Sequence, residues 1–213
     1  MKRRTAILIS GRGSNMAALI AASRRAAFPA EIALVLCNRP EAEGLMRAAE
    51  AGIRTRTLDH RGFGRDRAAH EAEIDRCLRE AGIELVCLAG YMRLLTPLLV
   101  GRWAGRMLNI HPSLLPAFPG LDTHARALAA GVKLHGCTVH LVTEAVDEGP
   151  ILAQAAVPVL PGDTAQGLAS RVLAQEHRLY PLALALVAGS ARSHRPDSGA
   201  ALLNPLPAPP GLP

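Results

Sequence analysis

Thr5-Ala6-Ile7-Leu8-Ile9-Ser10-Gly11-Arg12-Gly13-Ser14-Asn15 decides the fold class. Thr5 to Ile9 carries no charge and stops abruptly at Ser10-Gly11, which reads as a buried strand entering a glycine turn. Asn15 to Ala27 then reads as a helix and Ile32 to Cys37 as a second strand. The pattern repeats outward. Glu41 to Ala51 is helical and closed by Gly52, Ile53 to Leu58 is a weaker strand, and Asp66 to Ala81, closed by Gly82, is the clearest amphipathic helix. Leu85 to Ala89 and Arg106 to Ile110 are further apolar strands. Apolar strands separated by helices predict an α/β chain: a Rossmann-like, mostly parallel sheet with helices on both faces. After Pro112 the rhythm changes. Gly136 to Val142 and Ile151 to Val159 read as longer strands joined by a polar turn, an antiparallel or mixed addition, followed by a long terminal helix from Thr164 to Ala188, kinked near Pro181. Residues 1–189 read as one domain, with a first half over about 1–100 and a second over about 101–189. Residues 190–213, with six prolines from Pro196 onward, read as a flexible tail.

Composition narrows the function. Of 213 residues, 49% are hydrophobic and 20% charged, enough for a sizeable core. Aromatic residues make up only 3%, which leaves little for stacking nucleobases. The net charge is +6, but the arginines are dispersed, so small anionic ligands are favoured over polynucleotides. Cys37, Cys77, Cys87 and Cys137 show no Cys-x-x-Cys spacing and read as reduced core thiols. His124, His135, His140 and His177 match no zinc spacing, and no metal is expected. No segment is apolar for long enough to span a membrane, and the N-terminal apolar stretch is too brief for a secretion signal, so a soluble cytoplasmic protein is expected.

Four segments carry possible chemistry. The Ser10–Asn15 loop, between a strand and a helix start, offers free amides to a phosphate; an ordinary tight turn is the bland alternative. Met16 stands where a dinucleotide fingerprint has its third glycine, and Cys37-Asn38-Arg39 ends the second strand without an acid, so a nicotinamide dehydrogenase is disfavoured. Asn109-Ile110-His111-Pro112 places an amide and an imidazole two apart, on one face of a strand end. That pair suits acyl transfer: a donor for an oxyanion and a ring to move a proton, aimed out of the sheet's carboxyl edge. Asp147, in a turn, could keep that ring charged. Tyr91-Met92-Arg93-Leu94-Leu95 could line an apolar slot or serve as a connector.

Asn109-Ile110-His111-Pro112-Ser113-Leu114-Leu115-Pro116, with Pro119-Gly120-Leu121 and His124, resembles the phosphoribosylglycinamide formyltransferase family. Ile9 to Asn15, Leu88 to Arg93, His135 to His140, Asp147 to Pro150 and Gln175-Glu176-His177 extend the resemblance over roughly residues 5 to 188. It implies a cytosolic enzyme of purine biosynthesis that uses 10-formyltetrahydrofolate as co-substrate to formylate the amine of glycinamide ribonucleotide. It further implies Asn109, His111 and Asp147 as the catalytic trio. Gly13, Ser14, Asn15, Met16 and Ala17 would hold the phosphate and Glu176 the ribose. Arg67, Met92, Arg93, Leu94, Leu95 and Asn109, with Thr143, Glu144, Ala145, Val146 and Asp147, would bind the folate. Asp122 replaces a histidine frequent in the family.

Other readings stay in view. A formyltetrahydrofolate hydrolase and a methionyl-tRNA formyltransferase share the core, but each is expected to carry an additional domain. A non-catalytic nucleotide- or folate-binding module has no reason to retain the trio. The partners expected are the two small-molecule ligands, with no nucleic acid and no membrane, for a monomer or homodimer.

Overall fold

The computed structural model describes residues 1–189 and 201–202. The first half runs β1 (Arg3–Ile9), α1 (Ser14–Ser23), β2 (Ala30–Cys37), α2 (Glu43–Glu50), β3 (Thr55–Thr57), α3 (Arg67–Glu80) and β4 (Leu85–Leu88). The second runs α4 (Pro97–Arg102), β5 (Met107–His111), α5 (Thr123–Ala129), β6 (Leu134–Leu141), β7 (Ile151–Pro158), α6 (Ala165–Gly189) and a short β8 (Ala201–Leu202). The sheet order is β3-β2-β1-β4-β5-β6-β7-β8. Strands β1 to β5 pair in parallel, β6 runs antiparallel to β5 and β7 antiparallel to β6.

Alternation along β1 divides the core. Ile7 and Ile9 face the side covered by α1, α2, α5 and α6, while Ala6 and Leu8 face α3 and α4. All four are fully buried, as a strand covered on both faces requires. On the α3–α4 side, Ile74, Cys77, Leu78, Leu99 and Trp103 pack on Leu34, Leu36, Val86, Leu88 and Met107. Asp75 ties those two helices together, accepting from the Trp103 indole at 3.0 Å and pairing with Arg102 at 2.6 Å and Arg79 at 2.9 Å. Burial pushes the Asp75 carboxyl up, but these donors more than offset it and hold it below its usual range.

Several boundaries depart from the sequence reading. Helix α1 ends at Ser23, not Ala27, because Lys2 Nζ donates to the carbonyls of Ser23 and Arg25, both at 2.8 Å, and caps the helix there. Helices α4 and α5, seven residues or fewer, went unread because they are too short for a periodic stripe. Pro181 lies inside a continuous α6. The four cysteines are buried and form no disulfide. Apart from Ala201–Leu202, which pair with β7, the tail expectation falls outside the described residues.

Candidate active site

Gly13 takes φ 72 at the entry to α1, and a Cβ there would lie 2.9 Å from Met16 Cε and 3.2 Å from Gly44 Cα. Only glycine fits so close an approach without strain. The result is a helix start whose Ser14, Asn15 and Met16 amides meet no partner among the described residues, as expected of a first turn. The Ala17 amide differs, since it donates to Gly13 O at 2.9 Å and is not available to a ligand. The Met16 side chain is in the core, so only its backbone belongs to the loop. Asn15 reaches across to α6 and donates from Nδ2 to Glu176 Oε2 at 2.6 Å. Burial pushes the Glu176 carboxyl up, partly offset by that bond. The Asn15 Oδ1 is buried without a donor.

Asn109 and His111 lie at the carboxyl end of β5, which closes at His111. Leu108 and Ile110 enter the core on the α1–α6 side, so Asn109 and His111 stand on the α3–α4 side, beyond Met107. His111 is 6% exposed. Its Nδ1 lies 3.4 Å from Asp147 Oδ2 and its Nε2 is 3.0 Å from Phe118 O, so both ring nitrogens face oxygen acceptors. Asp147, at φ 58, accepts the Gly120 amide at 2.8 Å, which fixes the carboxylate beside the ring.

His140 is the residue sequence reasoning passed over. Its Nδ1 donates to Leu141 O at 3.0 Å, which leaves Nε2 bare to accept from Asn109 Nδ2 at 3.2 Å. Burial pushes its pKa down, in keeping with that neutral tautomer, and it thereby sets which end of the Asn109 amide is nitrogen. The β5–β6 register makes the pair: Asn109 lies opposite His140 and His111 opposite Thr138. Polar residues two apart, Asn109 with His111 and Thr138 with His140, in two otherwise apolar stretches were the available signal. Which strands would be neighbours was not.

The remaining predicted residues divide. Met92 and Leu94 are 60% and 61% exposed, an apolar surface beside partly buried Arg93 and Leu95. Arg67 is exposed at the first position of α3. Thr143, Glu144, Ala145 and Val146 are exposed in the β6–β7 turn, whose end carries Asp147 to His111. Gly149 closes that turn against the Leu141 carbonyl, where any Cβ would collide. Among the described residues, no three His, Cys, Asp or Glu side chains gather as a metal site.

The sequence matches the formyl transferase family over residues 3–184. It is 45% identical to the phosphoribosylglycinamide formyltransferase of Escherichia coli, over 84% of each chain. It is 50% identical to the trifunctional purine biosynthetic protein adenosine-3 of Gallus gallus over 89% of this chain, but spans only 19% of that longer protein. The crystal structure of phosphoribosylglycinamide formyltransferase from Brucella melitensis superposes with a TM-score of 0.85 at 57% identity, covering 90% of this chain and 98% of the other.

Proposed function

The chain belongs to the formyl transferase family, and from that premise we propose that it transfers the formyl group of 10-formyltetrahydrofolate to the amine of glycinamide ribonucleotide. The reaction is a step of purine biosynthesis, carried out in the cytoplasm. The observation that carries the chemistry is the gathering of Asn109, His111 and Asp147, with the Asp147 carboxylate 3.4 Å from the ring nitrogen of His111. Among the described residues no helix is long and apolar enough to cross a membrane.

The free amides of Ser14, Asn15 and Met16 suit one phosphate monoester. The orphan Asn15 Oδ1 and the Glu176 carboxyl suit the hydroxyls of an attached ribose. Met92 and Leu94 suit the flat face of a pteridine, and Arg67 a carboxylate at the far end of the folate. The folate supplies an activated formyl group; the protein's part is position and proton movement.

Asn109 Nδ2 carries two hydrogens, one on His140 and one free to meet the carbonyl oxygen as negative charge develops on it. A single such donor is typically worth about 10²–10³ in rate. The amine attacks the formyl carbon, the Nε2 proton of His111, held here by Phe118 O, passes to the folate nitrogen as its bond to that carbon breaks, and the proton shed by the amine restores the ring. Asp147 keeps the ring oriented through its carboxylate at Nδ1. In His111→Ala and Asp147→Asn, turnover followed by folate absorbance should fall at least about 10²-fold, with folate affinity largely kept. Near-normal turnover in both variants refutes the assignment. Loss of formyl-folate without ribonucleotide present would instead identify a hydrolase.

A further inference from the structure

The stretch from Tyr91 to Thr96 has no regular structure of its own, yet buried side chains outside the catalytic chemistry fix it at both ends. At its start, the Met92 amide donates to Ser10 Oγ at 2.8 Å, and the Ser10 hydroxyl in turn donates to Asn38 Oδ1 at 2.6 Å. At its end, the Glu71 carboxylate accepts the Thr96 amide at 2.9 and 3.1 Å and the Thr96 hydroxyl at 2.5 Å. Ser10 is 4% exposed and Glu71 is 3% exposed.

Glu71 is the more informative of the two. It forms no ion pair with lysine or arginine among the described residues, and a buried carboxylate held only by hydrogen bonds carries a desolvation cost. A neutral side chain could have satisfied one loop amide. What the carboxylate adds is a rigid, multiply bonded link between α3 and the end of the 91–96 stretch. Arg67 lies four residues earlier on α3, on the same face of the helix as Glu71. The link therefore joins the helix that begins with Arg67 to the stretch that exposes Met92 and Leu94.

We propose that Glu71, with Ser10 at the opposite end, is a positioning residue that holds the two halves of the folate subsite in register. The proposal rests on the functional reading above and adds to it two residues that do not touch the reacting atoms. Ser10 also opens the loop that leads to Ser14, so the tether at Met92 starts from the same segment that would seat the phosphate.

The test compares Thr96→Val, which removes the hydroxyl but keeps the shape, with Thr96→Ser, which restores it, and with Glu71→Gln. Binding of 5,8-dideazafolate, a stable folate analogue, and of glycinamide ribonucleotide is measured separately by calorimetry on the full chain. Thr96→Val and Glu71→Gln should each weaken the folate analogue about tenfold, and Thr96→Ser should stay within about twofold of the parent. Ribonucleotide affinity should move by less than about twofold in all three. Equal losses for both ligands, or an unchanged affinity of Thr96→Val for the analogue, overturn the proposal even if Glu71→Gln fails to fold. A parent protein that does not bind the analogue at all overturns the folate reading of the site, and the tether with it.

Discussion

Acid should unfold this protein partly through His135. That residue lies in β6 with no solvent exposure, its Nε2 3.2 Å from His124 Nδ1 and its ring edge-on to Phe118 at 5.9 Å. Burial, reinforced by the neighbouring His124, pushes its pKa from 6.5 down to about 4. A folded-state value below the unfolded one means that the unfolded chain binds the proton first. The stability contribution is therefore whole above about pH 6.5 and drains away as pH falls toward about 4. Each unit of that window is worth at most about 1.4 kcal/mol, so acidification from about pH 7.5 to about pH 5 removes about 2 kcal/mol through this one ring. Urea unfolding at both pH values, for the parent and His135→Gln, isolates it. Burial also holds His70, His124, His140 and His177 low, so both proteins lose stability in acid. The parent should lose about 2 kcal/mol more than the variant. Equal losses in the two proteins would refute the reasoning.

Gly13→Ala forces a Cβ against Met16 Cε at φ 72, and should weaken ribonucleotide binding by at least about tenfold while leaving the folate analogue's affinity within about twofold, both read by titration. Tyr180→Phe removes the hydroxyl that bridges Leu88 O at 3.0 Å and Leu108 O at 3.1 Å, beneath the strand that carries Asn109. It should cost about 1–2 kcal/mol and lower the thermal midpoint by roughly 3–6 °C, measured by circular dichroism. Arg67→Ala should raise KM for the formyl-folate about tenfold with kcat nearly unchanged, as loss of uniform binding requires.

The parallel half was legible because burial on both faces writes itself into sequence: Ala6 to Ile9 and Leu85 to Leu88 admit no polar residue. Gly52 and Gly82, both at positive φ, marked where α2 and α3 stop. Helix α4 left a faint signal, Thr96 before Pro97 at its first position, without enough length to show a stripe. The sequence placed Asn109 and His111 together through the two-residue period of a strand, but did not say on which face, because the part of the sheet that α3 and α4 leave uncovered depends on how far those helices reach. Glu71 was illegible for another reason. Its place three residues before Ile74 and seven before Leu78 sets it on the buried stripe of α3, but the amide and hydroxyl that satisfy its carboxylate come from Thr96, which no local pattern brings there.

That uncovered face explains why Asn109, His111 and Asp147 meet where they do. Helices α3 and α4 cover β1, β2, β4 and the first residue of β5. The next strand then joins antiparallel, through the register that sets Asn109 against His140 and His111 against Thr138. Thr138 uses its hydroxyl to hold Ser113 O at 2.7 Å and the Leu115 amide at 3.0 Å, which anchors the segment leaving His111. The β6–β7 turn begins beside Met107, where the Val142 amide donates to Met107 O at 2.8 Å. To bring Asp147 to His111 it has to fold back along the strand toward the other end of β5. The positive φ of Asp147 and the tight seat of Gly149 are what that reversal demands of the backbone. A parallel crossover at this place would lay a helix on one face of the sheet and leave no short turn to deliver the carboxylate. The switch from parallel to antiparallel pairing after β5 is thus the architectural step that keeps helices off the polar face and brings the Asp147 carboxylate to it.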